Sequence, residues 1–193
     1  MNRAAVACVS VALLTALPFA QTKSNATKRI FRASGGDRIV IVPIGETGES
    51  RLEFYGSAGD KLCSADYSSA DGDHGYVVAK AEWTPDARYF VFSLESSGGH
   101  SVMNTPTQFF SLKDRSLCSL DSYVGEAGIE FADFRLSSPN TVEVAVNGIG
   151  TPVKVSLSSL ATKAPNKEHG CVPCSSGTVH EFGDKTSYQH SPN

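Results

Sequence analysis

From residue 31 to residue 160, short apolar runs alternate with clusters of Gly, Ser, Asp, Asn and Pro, a pattern that predicts β-strands joined by turns. The runs are RIVIV (38–42), RLEFY (51–55), YVVAKAEW (76–83), RYFVFSL (88–94), TQFFSL (107–112), IEFADFRL (129–136), TVEVAV (141–146) and PVKVSL (152–157). Their β-branched and aromatic content favours strands, and no window has helical periodicity. TVEVAV places Val142, Val144 and Val146 on one face, with Glu143 and Ala145 on the other. RYFVFSL is apolar on both faces at its centre, so its sheet is expected to be covered on both sides.

The runs recur on a common plan. FRASGGDRIVIV (31–42), EWTPDARYFVF (82–92) and FRLSSPNTVEVAV (134–146) each carry an aromatic residue, a polar turn and an apolar strand. The aromatics Phe31, Trp83 and Phe134 are 52 and 51 residues apart. DKLCSAD (60–66) and RSLCSLD (115–121) close the first two units, with Cys63 and Cys118 in equivalent places and Ser158 of VSLSSL (155–160) in the third. The expected fold is therefore all-β, with about three diverged antiparallel β-repeats arranged as a partial propeller or an open sandwich.

Trp83-Thr-Pro-Asp-Ala-Arg-Tyr-Phe-Val-Phe resembles the Trp-Ser-Pro-Asp-Gly-Arg/Lys motif of blades in TolB-like and other WD-repeat-like β-propellers. Ala87 stands where those blades carry glycine, and the first and third units lack the Pro-Asp pair. Three units are fewer than the four to eight blades that close a ring. The resemblance implies a binding scaffold that presents loops to a protein or glycan partner, and it brings no catalytic residue with it.

Charge and the chain start place this domain. MNRAAVACVSVALLTALPFA opens with Arg3 and continues as an apolar stretch to Ala20, the form of a cleavable secretory signal peptide. The expected organisation is a signal peptide over 1–20, a linker over 21–30, a β-repeat domain over 31–160 and a flexible tail over 161–193. The destination is the periplasm or the medium, with no membrane span after cleavage. Losing residues 1–20 removes Arg3 and no acidic group, turning the net charge of −3 into −4. Mild acidity without a basic run argues against nucleic acid as a partner. The oligomeric state is left open.

Outside the leader there are four cysteines, Cys63, Cys118, Cys171 and Cys174, and an oxidising compartment makes disulfides the expectation. A 63–118 bond would require the first two units to stack closely. HGCVPCSSGTVH (169–180) admits a local 171–174 bond or a clip to Cys63 or Cys118. Its functional alternatives are a Cys-x-x-Cys redox pair and a zinc site of His169, Cys171, Cys174 and His180. DYSSADGDHG (66–75) collects Asp66, Asp71 and Asp73 in the manner of a calcium loop, but lacks a closing glutamate and also fits ordinary turn chemistry. No Gly-x-Ser-x-Gly elbow or His-Glu-x-x-His motif is present, and adjacent His100 and Ser101 would face opposite sides of a strand. The expected function is thus that of an exported binding or structural protein with no catalytic residue and no cofactor. Its contact loops would be 44–50, 95–106 and 147–151. The alternative is a thiol or zinc protein acting through its tail.

Overall fold

The computed structural model describes residues 27–98, 106–124, 128–161, 170–174 and 178–180, so the leader of the sequence reading lies outside it. The first unit is a meander of β1 (Arg29–Arg32), β2 (Arg38–Ile44), β3 (Glu49–Tyr55) and β4 (Lys61–Asp66). The second repeats it with β5 (Tyr76–Trp83), β6 (Tyr89–Ser96), β7 (Thr107–Ser111) and β8 (Ser116–Ser119). The third has only β9 (Arg135–Ser137), β10 (Thr141–Val146) and β11 (Ile149–Ser156). Two one-turn helices, α1 (Asp121–Val124) and α2 (Leu157–Ala161), follow the second and third meanders. Each meander is one antiparallel sheet, and among the described residues the sheets do not close into a barrel.

The three sheets stack with the second in the middle. Phe90, Phe92 and Leu94 of β6, Phe110 of β7 and Leu117 of β8 pack against Ile39, Ile41, Leu52, Phe54 and Cys63 of the first sheet. The alternate residues Tyr89, Val91, Phe109 and Cys118 pack the other way, against Phe134, Val142, Val144 and Val146. The double-sided apolar character of RYFVFSL has this as its cause: β6 is buried on both faces from Tyr89 to Leu94. Burying a Phe side chain stabilises by about 2–3 kcal/mol, so this strand alone anchors both interfaces. Trp83 packs edge-on against Phe90 at 5.1 Å, and Phe31 against the same ring at 5.2 Å.

The outer faces read as expected for solvated sheets. On the first, Arg51 pairs with Asp66 at 2.6 Å and Lys61 with Glu53 at 2.9 Å, while Lys154 meets Glu143 at 2.8 Å on the third. These pairs keep their cations at the surface and add about 1 kcal/mol each at most, so the apolar interfaces hold the stack together.

One expected strand is replaced, and the structure adds detail at three other places. The strand expected over 129–136 is replaced by bends with a single bridge from Ile129 to Val146, and only Arg135–Ser137 is strand. Ile129 and Phe134 are instead individually buried against the third sheet. Ser158, in the place equivalent to Cys63 and Cys118, lies in α2, whose Leu157 and Leu160 are buried in the core of the third sheet. Sheet structure begins at Arg29, inside the stretch assigned to the linker. In the tail, expected to be flexible apart from what its cysteines tie down, two described pieces are strands. β12 (Cys171–Pro173) runs antiparallel to β8 at the edge of the second sheet, and β13 (Thr178–His180) runs parallel to β4 at the edge of the first.

Candidate binding surface

The cysteines explain why the tail lies where it does. Cys171 sits directly opposite Cys118 in the β12–β8 ladder and is bonded to it, with a Cα–Cα distance of 4.0 Å. That spacing belongs to a non-hydrogen-bonded antiparallel pair, whose side chains approach closely. Cys174 is bonded to Cys63 on β4, with Cα–Cα 5.6 Å. Neither the 63–118 bond nor the local 171–174 bond forms; each tail cysteine clips to a different sheet. The repeat equivalence of Cys63 and Cys118 therefore marks two docking points for one strap. Both sulfurs of the Cys-x-x-Cys are engaged in these bonds, and so are two of the four zinc candidates. His180 belongs to β13 in register with Asp66, and His169 lies outside the described residues. Among the described residues no group of three or more His, Cys, Asp and Glu side chains is placed to hold a metal ion.

The acidic loop 66–75 is organised from within. Asp66 accepts from Ser68 and Arg51, and Asp71 accepts from the Asp73 amide and lies 2.5 Å from the His74 ring. The Asp73 amide, Ser69 and His74 hold the Asp71 carboxyl well below the usual range. At the centre of this end is Glu49, only 1% exposed. Its carboxylate accepts from the Ser69 amide at 2.7 Å, the Gly75 amide at 2.6 Å and the Ser97 hydroxyl at 2.7 Å. Burial pushes the Glu49 carboxyl up, yet the hydrogen bonds from Ser97, Ser69 and Gly75 outweigh it and leave it below its ordinary value. A Cβ at Gly75 would collide with the Tyr67 carbonyl and the Glu49 carboxylate, so glycine is required for this close approach. Loops 44–50 and 95–98 are thereby tied together; 99–105, with His100 and Ser101, lies outside the described residues. Of the expected loop 147–151, only Asn147 and Gly148 form the turn between β10 and β11; residues 149–151 are the exposed start of β11.

The opposite end of the stack carries the turns β1–β2, β3–β4, β5–β6 and β7–β8, and each contains a residue in the left-handed region. These are Gly36 (φ 93°), Gly59 (φ 93°), Ala87 (φ 53°) and Arg115 (φ 47°). In three of them the left-handed residue donates its amide three residues back: Gly36 to Ala33, Gly59 to Gly56 and Ala87 to Thr84. The Trp83 turn is reinforced by Thr84 Oγ1 donating to Asp86 at 2.7 Å and by Arg88 N–H donating to the same carboxylate at 3.1 Å. Asp86 also receives Asn140 Nδ2 at 2.8 Å, and its amide donates to the Pro139 carbonyl at 3.3 Å. This motif thus joins the second unit to the matching turn of the third.

Between the turn ends of the first two sheets lies a groove of about 310 Å³. Leu62, Ala87 and Leu112 form its apolar part, and three exposed cations, Arg88, Lys113 and Arg115, line it together with Asp37. None of these four groups has an ion pair within 4 Å among the described residues, and the Arg88 charge acts on the neighbouring Asp86 carboxylate. The 63–174 bond braces the groove: Cys63 follows Leu62 on one wall, and the Cys174 amide donates to the Arg115 carbonyl at 2.7 Å on the other. Sequence reading missed these residues, because each looks like ordinary turn chemistry by itself. Aligning SGGD (34–37), SAGD (57–60), PDAR (85–88) and KDRS (113–116) exposes the signal: alanine and arginine replace glycine only in the second unit. In comparisons with known proteins, no family model matches the chain, and no curated protein or solved structure matches it.

Proposed function

We propose that this is an exported binding scaffold, whose β-units serve to hold turns and loops in fixed positions for a partner. The observation that carries the reading is the construction of the turn end: a groove lined by exposed cations is braced on both walls by one disulfide. Two disulfides and the leader-like residues 1–20 support export, since such bonds persist in oxidising compartments. The likeness of the Trp83 turn to propeller blades supports the same role, because such scaffolds expose their turns to protein or glycan partners. The tail acts in this reading as a structural strap rather than a redox or zinc centre.

The test has two arms. Expression of the full chain with fractionation and N-terminal sequencing is expected to give an extracytoplasmic protein that begins near Gln21 and has no free thiol. Screening that protein against glycan and extracellular-protein arrays is expected to give a ligand whose binding survives substitution of His169 and His180. Retention in the cytoplasm, two titratable thiols, stoichiometric zinc or turnover of a substrate would each count against the scaffold reading.

A further inference from the structure

We infer that the groove between the first two sheets is an anion site for a small organic phosphate monoester. This rests on the scaffold reading and gives its ligand a chemical class. Three features converge. First, Arg88, Lys113 and Arg115 line the groove with one carboxylate, Asp37, so cations outnumber carboxylates among the lining side chains. Second, Arg115 adopts φ 47° at a turn position where Gly36 and Gly59 occupy the equivalent places of the first sheet. A left-handed arginine is strained relative to glycine, and backbone strain at a cleft is characteristic of residues retained for their side chain. Third, Leu62, Ala87 and Leu112 give the same groove an apolar wall suited to an organic body attached to the anion. A volume of about 310 Å³ is at the lower end for ligand pockets, which fits one phosphate group with a ring or short chain. Guanidinium forks match phosphate oxygens in pairs, and the lysine adds a point charge.

The experiment is calorimetric titration of the disulfide-bonded protein with phenyl phosphate, inorganic phosphate, phenyl sulfate and phenol. Phenyl phosphate is expected to bind submillimolar, inorganic phosphate more weakly, phenyl sulfate more weakly than phenyl phosphate because it is a monoanion, and phenol not at all. Affinity is expected to fall as salt rises. Arg115→Gly separates the site from the fold: it relieves the left-handed strain, so the protein should unfold at equal or higher urea while binding phenyl phosphate about tenfold more weakly. Arg88→Gln and Lys113→Gln should each lower affinity by about threefold to tenfold with unchanged unfolding. No heat with phenyl phosphate at about 10 mM, an affinity unmoved by Arg115→Gly, or tighter binding of phenyl sulfate would each overturn the assignment. Those outcomes with a folded, exported protein would leave a partner at the opposite, Glu49 end of the stack, and so refute the groove without refuting the scaffold.

Discussion

Ala87 and Glu49 show how single residues set the two ends of the stack. Ala87 sits at φ 53° in the turn that its Thr84 and Asp86 neighbours build, with a methyl group where the left-handed region favours none. Ala87→Gly removes a strain of about 1–2 kcal/mol and returns part of it as unfolded-chain entropy, so a net gain of about 0.5–1 kcal/mol is expected. A urea midpoint that moves downward would contradict this. Glu49 works in the opposite sense, because its charge is buried but fully hydrogen-bonded. Glu49→Ala removes the acceptor from the part-buried Ser69 amide and the buried Gly75 amide and is expected to cost about 2–3 kcal/mol. Glu49→Gln keeps an acceptor but turns an amino group toward one of those donors, so its loss should be intermediate. Denaturation of the three proteins in parallel checks the order, and an unaffected Glu49→Ala would refute the network's role. Neither role can be read from the local sequence. GESRLEFY announces a strand but not that its first carboxylate is enclosed by serines and a glycine 20 to 48 residues away.

At the level of elements, the strands with strong alternation or a dense apolar centre are legible, and those defined by their partners are not. TVEVAV and RYFVFSL fall where periodicity puts them, with Val142, Val144 and Val146 inward and β6 covered on both faces. IEFADFRL has the composition of a strand, yet Ile129 and Phe134 are used as separate plugs in the third sheet's core. The strands β12 and β13 are three residues each, too short for any hydrophobic period to announce them. They form because Cys171 and Cys174 bring them to the edges of β8 and β4. The bonds close loops of 111 and 53 residues. Chain entropy assigns a loop of either size about 4–5 kcal/mol when it is the only one present. The second bond adds less than that, since the smaller loop lies inside the larger and the strap is already held. Cys63→Ser with Cys174→Ser is therefore expected to lose up to about 4 kcal/mol while retaining the β-spectrum, and non-reducing peptide mapping of the wild type should return 63–174 and 118–171. Recovery of a 63–118 peptide pair would contradict the strap.

For the whole molecule, the middle sheet is the shared partner, and the other two are attached to it by different means. The first is joined by a wide aromatic interface and by the strap, whereas the third combines a valine-rich face with polar ties from Asp86 to Asn140 and from Lys80 to Asp133 and the Phe134 carbonyl. Carboxylates make these ties, so stability should depend on pH. Burial raises the Asp86 carboxyl, but Thr84, Asn140 and the Arg88 amide more than offset it, and Lys80 lowers Asp133. Glu49 and Asp66 are lowered as well, Asp66 by Ser68 and Arg51 against its burial. A carboxyl lowered in the folded state binds its proton more readily when unfolded. The stability it supplies is complete above its unfolded pKa and disappears as pH falls through the folded value, below the ordinary range of about 4. Asp121 acts in reverse. Burial between the second and third sheets raises it despite the amides of Thr107 and Ile129, so the folded protein gains stability as pH falls through that raised value toward the unfolded one. The two signs together predict a stability maximum on the acid side of neutrality, followed by a steep loss below the carboxylate range. Urea midpoints measured at successive pH values check this, and a curve that rises steadily to alkaline pH would show that the Asp121 carboxyl is not raised in the folded protein. Asp121→Asn should flatten the neutral limb and leave the acid limb intact, because the groups that create that limb lie in the other ties.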